Sequence, residues 1–195
     1  WDHQLINTPD AWQFLRNINV NRTFGSSDVI IGIVDSGVDP NHPDFNGLYI
    51  LNTILGGYFG SRLMANIRED KGYTYNIFSS LDAMIHDGYF YVGTEVGNEF
   101  TEKTLVEIYR EMDLLKEELV DEEELNMVKN YLLGNMLTML DGPFNVADVV
   151  KTYVAESLPV TDFDSLTQTI KDITAEDLRE LAKKYLERWI LMKIW

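Results

Sequence analysis

Asp35 is the first residue whose position in the sequence could support chemistry. It directly follows the apolar run Val29 to Val34. A run of this length predicts a buried strand, which would carry the Asp35 carboxylate to the end of a sheet. Gly37, two residues on, would permit a tight backbone turn there. Because a carboxylate needs partners to take part in catalysis, the other reactive side chains decide what Asp35 can do.

The chain contains few residues that could bind zinc or act with a catalytic nucleophile, since histidine is rare and cysteine is absent. The only histidines are His3, His42 and His86, and none has a histidine four residues away. This excludes a zinc site in which two histidines lie one helical turn apart. The chain has no cysteine, which excludes a thiolate nucleophile and a thiolate metal site. We expect His42 to be a turn residue and His86 to lie in a hairpin turn.

The composition predicts a soluble globular protein. At 195 residues and 45% hydrophobic content the chain can bury a core as one domain or one domain with a small appendage. A formal net charge of -16 argues against nucleic acid and anionic membranes as partners. No signal peptide is expected at the start, and no apolar stretch approaches the roughly 20 residues that span a bilayer. These observations do not assign a compartment.

Near Leu48 the residue pattern changes from one rich in turn-forming residues to one with helical periodicity. The stretch LYILNTILGG predicts a helix that ends on paired glycines, and SRLMANIRED predicts a second helix from Ser61. GYTYNIF alternates as a strand does, and GYFYVGTEV, from Gly88, is its predicted antiparallel neighbour. The intervening LDAMIHDG predicts the turn between them.

The remainder of the chain is predicted to be helical almost to its end. The acidic run Glu117 to Glu124 predicts a solvated junction between helices, and Asp121 followed by Glu124 predicts an N-terminal capping pair. The second of these helices should stop at DGP. Further helices are predicted over 144–157 and from Thr174. The inward side of the second of these helices would carry Leu178, Leu181, Ala182 and Tyr185. The tail WILMKIW predicts a final strand or an exposed edge.

The segment DSGVDPNHPDF resembles the catalytic-aspartate segment of subtilisin-like serine proteases, and the earlier INTPDAW matches that family's N-terminal phrase. The resemblance implies that Asp35 orients a histidine, which in turn activates a serine. The family's His-Gly-Thr and Gly-Thr-Ser phrases are absent, since His86 is followed by Asp-Gly and VGTEV has glutamate where serine is required. The resemblance therefore covers residues 1–47 and leaves Asp35 as the relic of a triad.

Residues 48–195 resemble another family, the pitrilysin and insulinase-like zinc metallopeptidases, or inverzincins. The resemblance rests on LNTILGGYFGSRLMANIREDKGYTYNI, where a glycine turn, Ser-Arg-Leu, Ile-Arg-Glu, Lys-Gly and Tyr occur in register. It implies the catalytically silent, C-terminal half-domain, incomplete at its start. Such a half packs against a metal-bearing half-domain and closes a chamber around a peptide. It implies no cofactor in this chain and zinc on a partner half-domain or subunit, held by His-x-x-Glu-His.

The silent half of that family contributes an arginine and a tyrosine seven residues apart, which here match Arg68 and Tyr75. Arg68 would end a helix and Tyr75 would lie inside the next strand, so one turn could aim both at the same space. A guanidinium and a phenol there can donate to a substrate carbonyl or to an oxyanion. A structural alternative remains open, in which Arg68 pairs with one of the two acidic residues after it and Tyr75 is half-buried with Tyr73 and Ile77.

The sequence as a whole predicts an α+β fold, with helices on one face of a mixed or antiparallel sheet, preceded by the short subtilisin-like strand-and-turn segment. The predicted function is the non-catalytic, peptide-binding and chamber-closing half of a zinc metallopeptidase, inactive alone and without a metal site of its own. One alternative is a serine endopeptidase fragment that lacks its histidine and serine. Another is a structural module or an artificial hybrid of two incomplete proteases. If the chain is not a hybrid, Val29 to Val34 could dock as a replacement strand of the sheet.

Overall fold

The computed structural model of the chain describes residues 28–34, 42–83, 88–155, 159, 161–186 and 191–194, with 28–34, Ala83 and 191–194 described as backbone only. Asp35 and His3 lie outside the described residues, as does His86 with the rest of 84–87. The predicted turn LDAMIHDG is too long, because its first three residues belong to the strand that ends at Ala83 and its last residue begins the strand at Gly88.

The sheet contains four antiparallel strands in the order β2-β3-β1-β4. The strands are β1 (Asp28–Val34), β2 (Thr74–Ala83), β3 (Gly88–Gly97) and β4 (Leu191–Ile194). Ile31 of β1 lies opposite Thr94 of β3 on one side and Lys193 of β4 on the other. The two strands predicted from GYTYNIF and GYFYVGTEV are therefore confirmed as antiparallel neighbours, and the apolar tail forms an edge strand.

The predicted strand Val29 to Val34 is present, but it does not precede the sheet as a separate segment. It lies in the interior of the sheet, hydrogen-bonded to β3 along seven residue pairs from Asp28 with Gly97 to Val34 with Tyr91. A run of Val and Ile that is interrupted only by Gly32 suits an interior strand better than an edge strand, whose outer side would face water. The structure thus agrees with the docked-strand alternative.

Seven helices and a short 3-10 helix, Asn98–Phe100, accompany the sheet in the part of the chain that the structure describes. The seven are α1 (Phe45–Asn52), α2 (Met64–Asp70), α3 (Thr101–Glu117), α4 (Glu122–Met139), α5 (Pro143–Ala155), α6 (Thr161–Asp172) and α7 (Ala175–Tyr185). Helix α1 continues into a π-helical turn, Thr53–Gly57, and α2 is itself π-helical. None of the helices among the described residues is long and apolar enough to cross a bilayer.

The core forms where helices cover one face of the sheet. Alternate residues of β3 are buried, including Phe90, Val92 and Val96, while the residues between them are half-buried or exposed. The α1 turn approaches β2 very closely, because a Cβ added at Gly56 would lie 2.5 Å from the Ser79 backbone nitrogen. Glycine is thus required there for close packing rather than for ending the helix. The fold is α+β, as the sequence predicts.

The C-terminal helices follow the sequence patterns well. Thr174 caps α7 through a reciprocal capping box with Asp177, and Leu178 and Ala182 are buried on its inner side. The helix predicted over 144–157 is observed as Pro143–Ala155. The patterns did not predict α6, whose single buried residue is Ile170.

Candidate functional site

Arg68 and Tyr75 lie together on the surface of the described structure. Arg68 is near the end of α2, and Tyr75 is the second residue of β2. Gly72, with φ of +64°, reverses the chain between them, in the left-handed region that glycine adopts without strain. The guanidinium carbon of Arg68 lies 5.4 Å from the centroid of the Tyr75 ring. One turn therefore brings both side chains to the same space, as their spacing predicts.

The contacts of this pair differ from those of the structural alternative. Tyr75 is 87% exposed rather than half-buried. Its neighbour Tyr73 instead stacks on Phe100, with ring centroids 4.9 Å apart. Within the described residues Arg68 forms no ion pair with Glu69 or with the acidic residue after it, and its recorded partners are aromatic.

Phe59 is a third member of the site that the sequence patterns did not single out. Its ring lies 4.7 Å from the Arg68 guanidinium carbon, and the residue is 63% exposed. It lies in the turn between α1 and α2, in the GGYFG stretch. The available signal was an aromatic residue in a turn, where polar residues and glycine predominate. We call Phe59, Arg68 and Tyr75 the arginine cluster.

Polar contacts fix α2, which carries Arg68, to α3. The side-chain amide of Asn66 donates to Glu107 at 3.0 Å and to Glu111 at 2.6 Å. The Lys71 ammonium, just after α2, donates to the side-chain amide oxygen Oδ1 of Asn66 and lies 3.4 Å from Glu107. These contacts hold the α2 backbone against α3, while the half-buried Arg68 contacts the two aromatic rings.

Burial affects the two glutamates of α3 differently. Burial raises the pKa of Glu111, which is 8% exposed, although the Asn66 hydrogen bond and the Arg62 charge act in the opposite direction. Burial would also raise the pKa of Glu107, but the Asn66 hydrogen bond and the charge and hydrogen bond of Lys71 outweigh it, so that this pKa is lowered. Glu107 therefore stays ionised beside Lys71, whereas Glu111 is the less readily ionised of the two.

A second side-chain interaction, an ion pair, connects the start of α2 to α4. Arg62 donates two hydrogen bonds to the carboxylate of Glu124, at 2.9 and 2.7 Å. The predicted capping pair is therefore wrong in its second member. Asp121 does cap α4, by accepting from the Glu123 backbone nitrogen at 2.7 Å, but Glu124 pairs with Arg62 instead. A bidentate partner in the tertiary structure is a stronger contact for a carboxylate than its own helix end.

The segment around His42 has a structural role. The backbone nitrogen of Asp44 donates to His42 Nδ1 at 3.1 Å, which agrees with the predicted turn. The Asp44 carboxylate accepts hydrogen bonds from Lys184 at 2.7 Å and from the Tyr185 hydroxyl at 2.9 Å. These bonds, led by that of Lys184, lower the pKa of Asp44 despite partial burial. Asp44 thus ties the start of α1 to the end of α7.

The chemistry that the arginine cluster can perform is hydrogen-bond donation. A guanidinium that lies against aromatic faces keeps its peripheral N–H groups available to an acceptor. Across the described residues no group of three or more His, Cys, Asp or Glu is arranged to hold a metal ion. Asp35 lies outside those residues, so the structure does not place it relative to this cluster.

Comparison with known proteins identifies relatives of the chain. The family model described as "Peptidase M16 inactive domain" matches residues 16–132. The Bacillus subtilis protein named uncharacterized zinc protease YmxG is 27% identical over 105 residues, which are 54% of this chain and 26% of that protein. The chain thus spans about a quarter of that relative's length.

Solved structures give the same assignment of fold. A peptidase M16 inactive domain from Pseudomonas fluorescens has a TM-score of 0.74 and 26% identity, covering 84% of this chain and 39% of that one. An inactive peptidase domain from Bordetella parapertussis also has a TM-score of 0.74, with 18% identity, and covers 90% of this chain and 97% of that one. The second likeness concerns the fold alone.

These matches confirm the predicted resemblance to the silent half-domain of the zinc metallopeptidases. The family match begins at residue 16, ahead of the predicted boundary at residue 48, and includes β1 as well as the arginine cluster. It covers 117 of the 195 residues. The chain belongs to the peptidase M16 inactive domain family.

Proposed function

We propose that this chain is the peptide-binding, chamber-closing half of a zinc metallopeptidase and is inactive alone. The observation that carries the proposal is the pair of half-buried Arg68 and exposed Tyr75, whose guanidinium carbon and ring centroid lie 5.4 Å apart. Membership of the M16 inactive domain family and a relative named as a zinc protease support it. Zinc, on a partner half-domain or subunit with His-x-x-Glu-His, would supply an activated water.

Arg68 and Tyr75 would act on the peptide as donors. The Arg68 N–H groups that the rings leave free can bind a peptide carbonyl, and the Tyr75 hydroxyl can donate to the same oxygen or its neighbour. Donors already fixed before the peptide arrives stabilise the negative charge that develops on that oxygen. The polar ties of Asn66 to α3 support this pre-organisation, because they hold the backbone from which Arg68 projects.

An apolar surface on α5 supports the presence of a partner. None of the thirteen residues of α5 is buried, and Phe144 is 85% exposed. Val146, Val150 and Val154 recur along one side of this helix, and all three are exposed. Such a contiguous apolar surface is typical of a protein interface. We assign it to contact with the zinc-bearing half.

The test combines the 195-residue chain with a His-x-x-Glu-His half-domain and zinc, and follows cleavage of quenched fluorescent peptides. Activity is expected only with both halves present. Arg68→Ala and Tyr75→Phe should each lower kcat/KM by roughly ten- to a hundredfold, as the loss of a hydrogen bond to a charged group would. Arg179→Ala, which removes an arginine from α7 that pairs with Glu180, outside the contacts between α2 and α3, is the matched control and should change kcat/KM little. Full activity in both variants would instead favour a structural module with no role for the pair.

The division into a subtilisin-like segment, 1–47, and an incomplete half-domain, 48–195, stays a prediction. The family match from residue 16 and the pairing of β1 with β3 favour one continuous domain. The serine-protease alternative, with Asp35 as a catalytic residue, predicts stoichiometric labelling by a serine-directed fluorophosphonate. We expect no labelling. Intact mass and N-terminal sequencing of the purified chain would test the hybrid directly.

A further inference from the structure

Phe59 lies in a turn that fixes its direction. Its neighbour Tyr58 is half-buried and packs against Tyr131 of α4, with ring centroids 4.9 Å apart. On the other side Ser61 is buried, and its backbone nitrogen donates to the Tyr58 carbonyl oxygen at 3.1 Å. A Cβ added at Gly60 would lie 2.8 Å from the Tyr58 ring. With Tyr58 and Ser61 anchored inward, the turn holds Phe59 outward over Arg68.

Arg68 lies between two exposed rings. Its guanidinium carbon is 4.7 Å from the Phe59 centroid and 5.4 Å from the Tyr75 centroid, both within the roughly 6 Å range of cation–π attraction. The nearer ring belongs to Phe59, which has no polar group of its own to offer a peptide. Because Phe59 is 63% exposed, its ring gains only part of the free energy that full burial would give. Its contact with Arg68 is the aromatic interaction recorded for it among the described residues.

The acidic surroundings make such a contact consequential. Glu69 and Asp70 follow Arg68 directly, and both are exposed. The chain as a whole carries a formal charge of -16. An arginine side chain has many rotamers, and without a ring to hold it the guanidinium is free to turn toward a neighbouring carboxylate. That rotation would remove its N–H groups from the space that Tyr75 faces.

We infer that Phe59 is a positioning residue, which holds the Arg68 guanidinium in the orientation from which it donates to a bound peptide. The inference rests on the proposed function, since it gives Phe59 its role through Arg68. It adds a determinant that comes from the α1–α2 turn rather than from the arginine–tyrosine pair itself. Phe59 is expected to change the rate with which peptide is processed, not the stability of the domain.

The first test is a spectroscopic signature in the isolated 195-residue chain. Protons over an aromatic face resonate upfield, so the Arg68 Nε–Hε and Hδ signals should be shifted upfield, with Arg68→Lys identifying them. Phe59→Leu should remove most of this shift and Phe59→Tyr should restore it. Phe144→Leu, which changes an exposed phenylalanine on α5, is the control and should leave the signals unchanged. An unchanged Arg68 signal in Phe59→Leu would overturn the inference.

The second test is a double-mutant cycle in the two-part peptidase, which is this chain combined with a His-x-x-Glu-His half-domain and zinc. Phe59→Leu should lower kcat/KM by roughly two- to fivefold, in line with an exposed cation–π contact. In the Arg68→Ala background the same change should have no further effect. Independent effects of the two substitutions would refute the positioning role while leaving the proposed function intact. If Arg68→Ala alone has no effect, Arg68 does not donate to the peptide and the inference fails. If Tyr75→Phe has no effect either, the proposed function fails as well.

Discussion

Arg62 and Glu124, 62 residues apart in the sequence, form a bidentate ion pair at 2.9 and 2.7 Å between half-buried side chains. The pair connects the start of α2 to the first turn of α4. We expect Arg62→Ala to lower the free energy of unfolding by about 1–3 kcal/mol, because Glu124 loses both of its recorded donors. Urea denaturation monitored by circular dichroism measures this.

The matched control is the exposed pair of Lys151 and Asp148, which is also 2.7 Å long. Lys151→Ala should change the free energy of unfolding by less than about 0.5 kcal/mol, because solvent screens the pair. Equal losses in the two variants would show that burial and bidentate geometry do not distinguish them.

Glu111 predicts a pH-dependent stability. Since burial raises its pKa in the folded state, folding favours the protonated form. The contribution of protonated Glu111 to the free energy of unfolding is fully present below the unfolded-state pKa of about 4.3. This contribution is lost as the pH rises through the folded-state pKa. Glu111→Gln cannot ionise, so its stability relative to the wild type should increase between about pH 3 and pH 7. Denaturation curves at several pH values test this.

Glu107 provides a control, because the pH dependence of stability that it predicts is opposite in sign to that of Glu111. Its folded pKa is lowered, so its contribution is present above the unfolded pKa and is lost as the pH falls through the folded one. Glu107→Gln should therefore lose stability relative to the wild type over the same rise in pH. The same sign of change in both variants would refute this account of the α2–α3 contacts.

Asp44 tests whether the segment after Asp35 belongs to the domain. Asp44→Ala removes the acceptor of both Lys184 and Tyr185, and we expect a loss of about 1–2 kcal/mol in the free energy of unfolding. Tyr185→Phe removes only one of the two bonds and should cost less. A single cooperative transition, shifted as a whole, is the expected result. A separate early transition would indicate that residues 42–47 unfold independently of α7.

The interior position of β1 makes its backbone sensitive to proline. Ile31 pairs with Thr94 on one side and Lys193 on the other. Ile31→Pro should cost about 3 kcal/mol or more, because proline removes a donor and is excluded from central strands. Met192→Pro, in the edge strand β4, should cost less. Similar losses in thermal or urea unfolding would contradict the strand order.

Arg68→Lys separates charge from geometry in the arginine cluster. Lysine keeps the positive charge but lacks the planar fork that can stack between rings and donate in two directions. In the two-part peptidase we expect Arg68→Lys to retain only a small part of the activity, close to that of Arg68→Ala. Activity near that of the wild type would mean that the charge alone is sufficient at this position.

Local sequence patterns were sufficient to predict those elements that depend only on residues close together in the sequence. The apolar run Val29 to Val34 predicts a strand, Thr174 begins the last helix, and a turn between Arg68 and Tyr75 is required by the helix and strand on either side. Each depends on residues within a few positions of one another, so the order of the sequence is enough. The resemblance to the zinc metallopeptidases implied the donor pair, and the spacing was compatible with it, but its part in peptide binding stays a proposal.

Only the tertiary structure decided which partners these elements take. Glu124 sits at a helix start, but its carboxylate binds Arg62, 62 residues away, and Asp44 contacts Lys184, 140 residues away. The strand before Asp35 could equally have stood apart, and the pairing with β3 places it inside the sheet. Phe59 faces Arg68 because Tyr58 and Ser61 are anchored elsewhere. Such choices depend on burial and on competition between distant groups, which have no periodicity along the chain.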